Sequence, residues 1–143
     1  MLTILTQQEL ITRLLEILKS TSLPFETLQN MASAAFNKNL YTDMVPFFHV
    51  EPNGYTVRIH ERGVLIREWH TEQVEEVLYV LLEQLIYESA YLYLMDKYKA
   101  DSPTSRLLFT PEIKKEVRET IDEAFTRIGG VFDEWHRAGK QFL

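Results

Sequence analysis

Phe47 to Trp69 reads FFHVEPNGYTVRIHERGVLIREW, and this stretch decides the fold class. Phe47–Glu51, Tyr55–Ile59 and Val64–Trp69 are three β-prone runs, rich in β-branched and aromatic residues and separated by turn formers. Asn53-Gly54 suits a type I′ turn between the first two, because both residues tolerate positive φ. That turn pairs Val50 with Val57 and Phe48 with Ile59, placing four apolar side chains on one face. Glu61-Arg62-Gly63 lies in the second connection. A four-residue loop from His60 to Gly63 pairs Ile59 with Val64 and Val57 with Ile66, which extends the same face. A two-residue loop would set Arg58 opposite Arg67, and like charges directly opposed are unfavourable, so the longer loop is expected. The other face carries His49, Glu51, Thr56, Arg58 and Arg67, but also Phe47, Leu65 and Trp69. A helix or a partner is expected over part of it.

Helical patterns flank this meander. Leu10, Leu14, Ile17 and Leu18, widened by Ile11 and Leu15, predict a helix from about Gln8 to Lys19, closed by Ser20-Thr21-Ser22 and Pro24. Phe25 to Phe36 reads as a short helix or an irregular loop ahead of Asn37-Lys38-Asn39. A long helix is expected from its cap at Thr71 to about Lys99. Val74, Val77, Leu78, Leu81, Leu82, Leu85, Ser89 and Leu92 share its broad apolar face, and Glu76, Glu83 and Lys97 fall opposite. Tyr87, Tyr91 and Tyr98 follow one flank. After a loop from Ala100 to Ser105, Thr110 caps the last helix and Pro111 opens it, where a missing N–H is harmless. Its stripe is Ile113, Val117, Ile121, Ala124, Phe125, Ile128, Phe132 and Trp135, with Gly129-Gly130 able to loosen or kink it. The expected fold is α+β: a three-stranded antiparallel β-meander packed with three or four α-helices, two of them long, in a single domain spanning residues 1–143.

Composition narrows the setting. With 143 residues, 45% hydrophobic and 25% charged, the chain can bury a proper core without staples. It has no cysteine, which excludes disulfides and thiolate zinc sites and suits a reducing compartment. Met1 to Glu9 lacks the basic and apolar regions of a signal peptide. Val74 to Met95, the most apolar span, contains Glu75, Glu76, Glu83 and Glu88, which hydrocarbon would not accommodate. A cytoplasmic protein with no membrane contact is expected. The net charge of −6 disfavours nucleic-acid binding and suits a basic protein partner as well as plain solubility.

Catalytic patterns are missing. His49, His60, His70 and His136 form no H-x-x-x-H or H-E-x-x-H spacing, and no glycine borders a serine as in a G-x-S-x-G elbow. Phosphate-cradling glycine loops are also absent from the sequence. Glu75-Glu76 and Asp122-Glu123 are adjacent carboxylates, but at helix positions where solvated charge is ordinary. A non-enzyme without a cofactor is expected. The enzymatic alternative is a small metal- or ligand-dependent site using His49, His60 and Glu61 near the hairpin end. A further alternative is a homo-oligomeric adaptor built on the tyrosine flank.

Three features suit binding. They are the acidic surface of the long helices (Glu72, Glu75, Glu76 and Glu83, then Glu112, Glu116, Glu119, Asp122 and Glu123), the tyrosine flank, and the Phe47, Leu65 and Trp69 sheet face. Tyrosine offers large contact area at small entropic loss, although Tyr87 and Tyr91 can equally complete a core edge.

Tyr55 to Ile59 followed by His60-Glu61-Arg62-Gly63, then Thr71 and Val74-Glu75-Glu76-Val77-Leu78-Tyr79, then Ala90-Tyr91, and finally Asp101 with Arg106-Leu107-Leu108-Phe109, carry a resemblance. In this order they resemble the immunity protein 63 family of bacterial polymorphic toxin systems. Ser105 stands where that family tends to place the first of two arginines, and Val80 where it tends to have an aromatic residue. The resemblance implies an antitoxin that binds a cognate toxin, such as a basic nuclease domain, and neutralises it by stoichiometric occlusion. The residues expected to meet that partner are Glu72, Glu75, Glu76, Glu83, Tyr87 and Tyr91, with Glu61 and Arg62 at the hairpin turn. Independently of the family, Gly63 can close a hairpin through the left-handed region, and Arg62 could reach an acidic group such as Asp101.

Overall fold

The computed structural model describes residues 3–37, 42–97 and 111–143. In chain order the elements are α1 (Gln7–Leu18), α2 (Phe25–Ala34), β1 (Phe47–Glu51), β2 (Gly54–Glu61), β3 (Val64–Thr71), α3 (Val74–Lys97), α4 (Pro111–Ile128) and α5 (Gly130–Arg137). The strands form one antiparallel sheet in the order β1-β2-β3, so the molecule is the α+β meander that the sequence predicts. Tyr98, the Ala100 to Ser105 loop, Asp101, the Arg106 block and the Thr110 cap lie outside the described residues.

Both hairpins differ in register from the expectation, for separate physical reasons. In the first, Glu51 pairs with Gly54, so Pro52 and Asn53 make the turn instead of Asn53 and Gly54. Neither of these turn residues has positive φ, and proline in the second position with glycine in the fourth is a type I preference. Phe48 therefore faces Val57, and Val50 faces Tyr55. The shift is two residues, so each side chain keeps its face.

In the second hairpin the turn is the two-residue Arg62-Gly63, both at positive φ (51° and 79°), as a type I′ turn requires. The predicted clash of Arg58 with Arg67 is removed by a β-bulge. His60 pairs with Leu65 but Ile59 pairs with Arg67, leaving Ile66 as the extra residue. Arg58 then lies opposite Glu68, and its guanidinium binds that carboxylate at 2.7 Å and Glu51 at 3.5 Å. The bulge also places Trp69 opposite Val57, on the inner face and not on the outer face expected for it.

The inner face, with Phe48, Tyr55 and Val57 fully buried, joins the helices in one continuous core. Thr6 closes the start of α1 with a capping box: its hydroxyl accepts from Glu9 N–H, and the Glu9 carboxylate accepts from Thr6 N–H. The Tyr55 hydroxyl accepts from Leu5 N–H at 2.7 Å, which ties β2 to the entry of α1. At the outer edge of β1, Phe48 N–H donates to Ala35 O, just past the end of α2.

α3 is the axis of the helical layer. It starts at Val74, three residues after the expected cap. Thr71 ends β3 instead, and its hydroxyl accepts from Gln73 N–H while donating to the Glu76 carboxylate. Val77 to Leu82, Leu85, Ile86, Ser89, Ala90 and Leu94 are buried, a wider face than predicted, whereas Leu92 is exposed. The final helix is not continuous. Gly129 and Gly130 both adopt positive φ and divide it into α4 and α5, so Phe132 and Trp135 reach the core from a turned segment. That division gives five helices among the described residues, one more than the expected maximum. Among the same residues no helix is long and apolar enough to cross a membrane.

Candidate functional site

Glu83, Tyr87 and Tyr91 occur at four-residue intervals along α3, so they rise one above another on a single flank. Across from this flank are Met31 and Ala34 of α2 with Ala35 just past its end, the segment Thr42, Val45 and Pro46 that leads into β1, and Gln141 to Leu143 of the C-terminal tail. Together they enclose a groove of about 730 Å³.

Both movable-looking walls are tied down. Val45 N–H donates to Thr42 O, and Met44 N–H donates to His60 O at 2.8 Å. The Asp43 carboxylate accepts from Arg62 N–H at 3.0 Å, so the groove wall is fastened to the tip of the β2–β3 hairpin. The tail is held by aromatic packing. Phe142 packs against Trp69 in a tilted arrangement and against Tyr79 and Trp135 edge to face, at centroid distances of 5.6, 6.0 and 5.2 Å, and the Lys140 ammonium sits over the rings of Trp135 and Phe142. Such contacts combine apolar burial with edge-to-face and cation–π attraction.

On the far side of the tail lies a second cavity of about 520 Å³ that shares Glu83, Tyr87 and Gln141 with the first. Its charges are largely paired internally: His136 contacts the Asp122 carboxylate at 2.6 Å, and Arg137 contacts Asp133 at 3.0 Å. Elsewhere on the acidic helices Glu116 binds Lys97, Glu119 binds Lys115 and Glu123 binds Arg127. Glu83 differs from these. It is half-buried, makes no ion pair within 4.0 Å among the described residues, and desolvation pushes its carboxyl up to about 7. Burial also raises Tyr87, whose phenol has the Glu83 carboxylate nearby. The expectation that Glu83 belongs to a solvated face is therefore corrected: the 42–46 segment and the tail close over that part of α3.

The remaining candidates fall into two places. Glu61 and Arg62 are exposed at the hairpin tip and adjoin the groove through Asp43. Glu72, Glu75 and Glu76 stand at the start of α3, beyond the other end of β3, about 23 Å away along an eight-residue strand. Glu72 is exposed and Glu75 is half-buried, while Glu76 accepts from Thr71. His49 and His60 share the outer sheet face two rows apart, and in the row of His49 the central-strand Thr56 separates it from His70, whose ring bonds the Thr56 hydroxyl at 2.9 Å. Among the described residues no group of three histidines and carboxylates is placed to hold a metal ion. Leu65 is exposed, and the half-buried Phe47 packs on His49.

The groove thus lies between a helix flank, the 42–46 segment and an aromatic tail of this α+β fold, rimmed by tyrosine and carboxylate side chains. The sequence model of immunity protein 63 matches residues 52–141, well over half of the chain, and the protein belongs to that family. No curated protein and no solved structure matches the chain.

Proposed function

We propose that this protein is the antitoxin of a polymorphic toxin pair, binding its cognate toxin domain one to one in the cytoplasm and disabling it by occlusion, without turnover. Membership of the immunity protein 63 family carries this reading. The net charge of −6 favours a basic toxin domain such as a nuclease, because opposite fields steer encounter. Two surfaces divide the work. Glu72, Glu75 and Glu76 at the start of α3 attract the toxin, and the groove of Glu83, Tyr87 and Tyr91, with the adjoining Glu61-Arg62 turn, anchors it.

The test is co-expression with the inactivated product of the neighbouring toxin gene, followed by purification through a tag on the toxin. A 1:1 complex that survives gel filtration is the expected result. Two separate peaks at micromolar concentration would remove the reading.

A further inference from the structure

We propose that the groove beside Glu83 receives one lysine or arginine side chain of the partner protein, paired to the Glu83 carboxylate with its aliphatic stem along the apolar wall. This rests on the immunity reading and names the chemistry that the toxin presents to it.

The composition of the groove selects the occupant. Its described lining contains two carboxylates, Glu83 and Glu88, and no lysine, arginine or histidine. Met31, Ala34, Ala35 and Val45 supply an apolar wall. A long basic side chain is the protein group that combines an apolar stem with a cationic head, and it buries the stem while directing the head at an acceptor. An acidic side chain would meet like charge, and a purely apolar one would leave Glu83 desolvated without a counter-ion. Tyr87 and Tyr91 line the same groove one and two turns further along α3, and aromatic rings beside a cation add cation–π attraction.

Charges elsewhere around Glu83 do not satisfy it. Arg118, Asp122, Asp133, His136, Arg137 and Lys140 line the cavity across the tail. Of these, His136 is engaged by Asp122, Arg137 by Asp133, and Lys140 by aromatic rings. No ion pair joins Arg118 or any of the others to Glu83 within 4.0 Å among the described residues. Tyr79 and Tyr87, on the same helix, also border it; desolvation raises both phenols, and the Glu83 charge adds to that rise. Glu83 is thus a carboxylate made partly ready by desolvation, facing a groove open to a cation. Pairing with that cation restores its ionised form, so binding near pH 6 expels a proton into solution.

The experiment uses the full chain and the inactivated toxin domain, measured by titration calorimetry in two buffers of different ionisation enthalpy. Wild type is expected to release most of one proton per complex at pH 6 and almost none at pH 8.5. Glu83→Gln is expected to abolish that release and weaken binding about 30-fold or more, while the exposed Glu72→Gln should leave proton release intact. Circular dichroism verifies that Glu83→Gln is folded. Failure of the wild-type chain to bind overturns the immunity reading itself. A wild-type complex whose affinity and proton release are unchanged by Glu83→Gln overturns only the groove.

Discussion

Glu83→Gln should make the unbound protein more stable at neutral pH. In the unfolded chain this carboxyl titrates near 4.5, whereas in the folded state desolvation raises it to about 7. The folded state therefore holds the extra proton between those values, and stability falls as pH rises through that window. A shift of this size corresponds to roughly 3 kcal/mol for a group sealed from water, at about 1.4 kcal/mol for each pH unit. Glu83 is only half-buried, so solvent screening reduces this to about 1–2 kcal/mol. Glutamine keeps the shape and removes the titration. Wild type and variant should have nearly equal stability at pH 4.5 and diverge by about 1–2 kcal/mol by pH 8, a difference of about 3–6 °C in Tm for a chain of this length. Urea titrations at half-unit pH intervals, followed by circular dichroism, measure this directly. Parallel stability curves for the two proteins from pH 4.5 to 8 would refute the desolvation argument.

Two further perturbations test the architecture around the site. A Cβ at Gly54 would lie 2.6 Å from Thr71 O and 2.7 Å from His70 Nε2, at a φ of +149°, so Gly54→Ala should lose about 2–4 kcal/mol in the same urea assay. Gly63→Ala meets nothing within 4 Å and carries only the backbone penalty of its φ of +79°, about 1–2 kcal/mol. Equal losses at the two glycines would contradict the register of the sheet. Phe142→Ala should cost about 2 kcal/mol, less than a fully buried phenylalanine, because the ring is only half-buried among Trp69, Tyr79 and Trp135. It should also hydrate Glu83 and flatten the pH dependence, which an unchanged slope would disprove.

How far the sequence could be read depended on the range of the interactions involved. The faces of β1 and β2 were legible because alternation has a period of two, and the error in the first hairpin was also two residues. The bulge at Ile66 was not legible. The repulsion between Arg58 and Arg67 pointed to a longer loop, whereas the chain keeps the short turn and inserts a residue into β3. Trp69 went to the wrong face for the same reason. On α3, spacing aligned Glu83, Tyr87 and Tyr91 but could not reveal that they border a groove. The opposing walls come from α2, residues 42–46 and the tail, all remote in sequence. A signal for the tail was present in its aromatic and basic composition, with Trp135, Lys140 and Phe142 closely spaced, but nothing local specified Trp69 and Tyr79 as their partners.

The carboxylates on this surface differ in what a partner gains by meeting them. Glu119 and Glu123 are exposed and already paired to Lys115 and Arg127, so a new cation must displace an existing one in high dielectric, for little net energy. Glu72 is exposed, and a cation brought to it must strip water from both groups. Such charges change the encounter rate and its salt dependence more than the lifetime of a complex. At Glu83 folding has already removed part of the water, so the attraction on pairing is offset by a smaller fresh desolvation penalty. The instability that this carboxylate imposes on the free protein and the strength of its proposed ion pair thus have one physical origin. Mutations at the start of α3 should therefore act on the association rate, and Glu83→Gln on the dissociation rate.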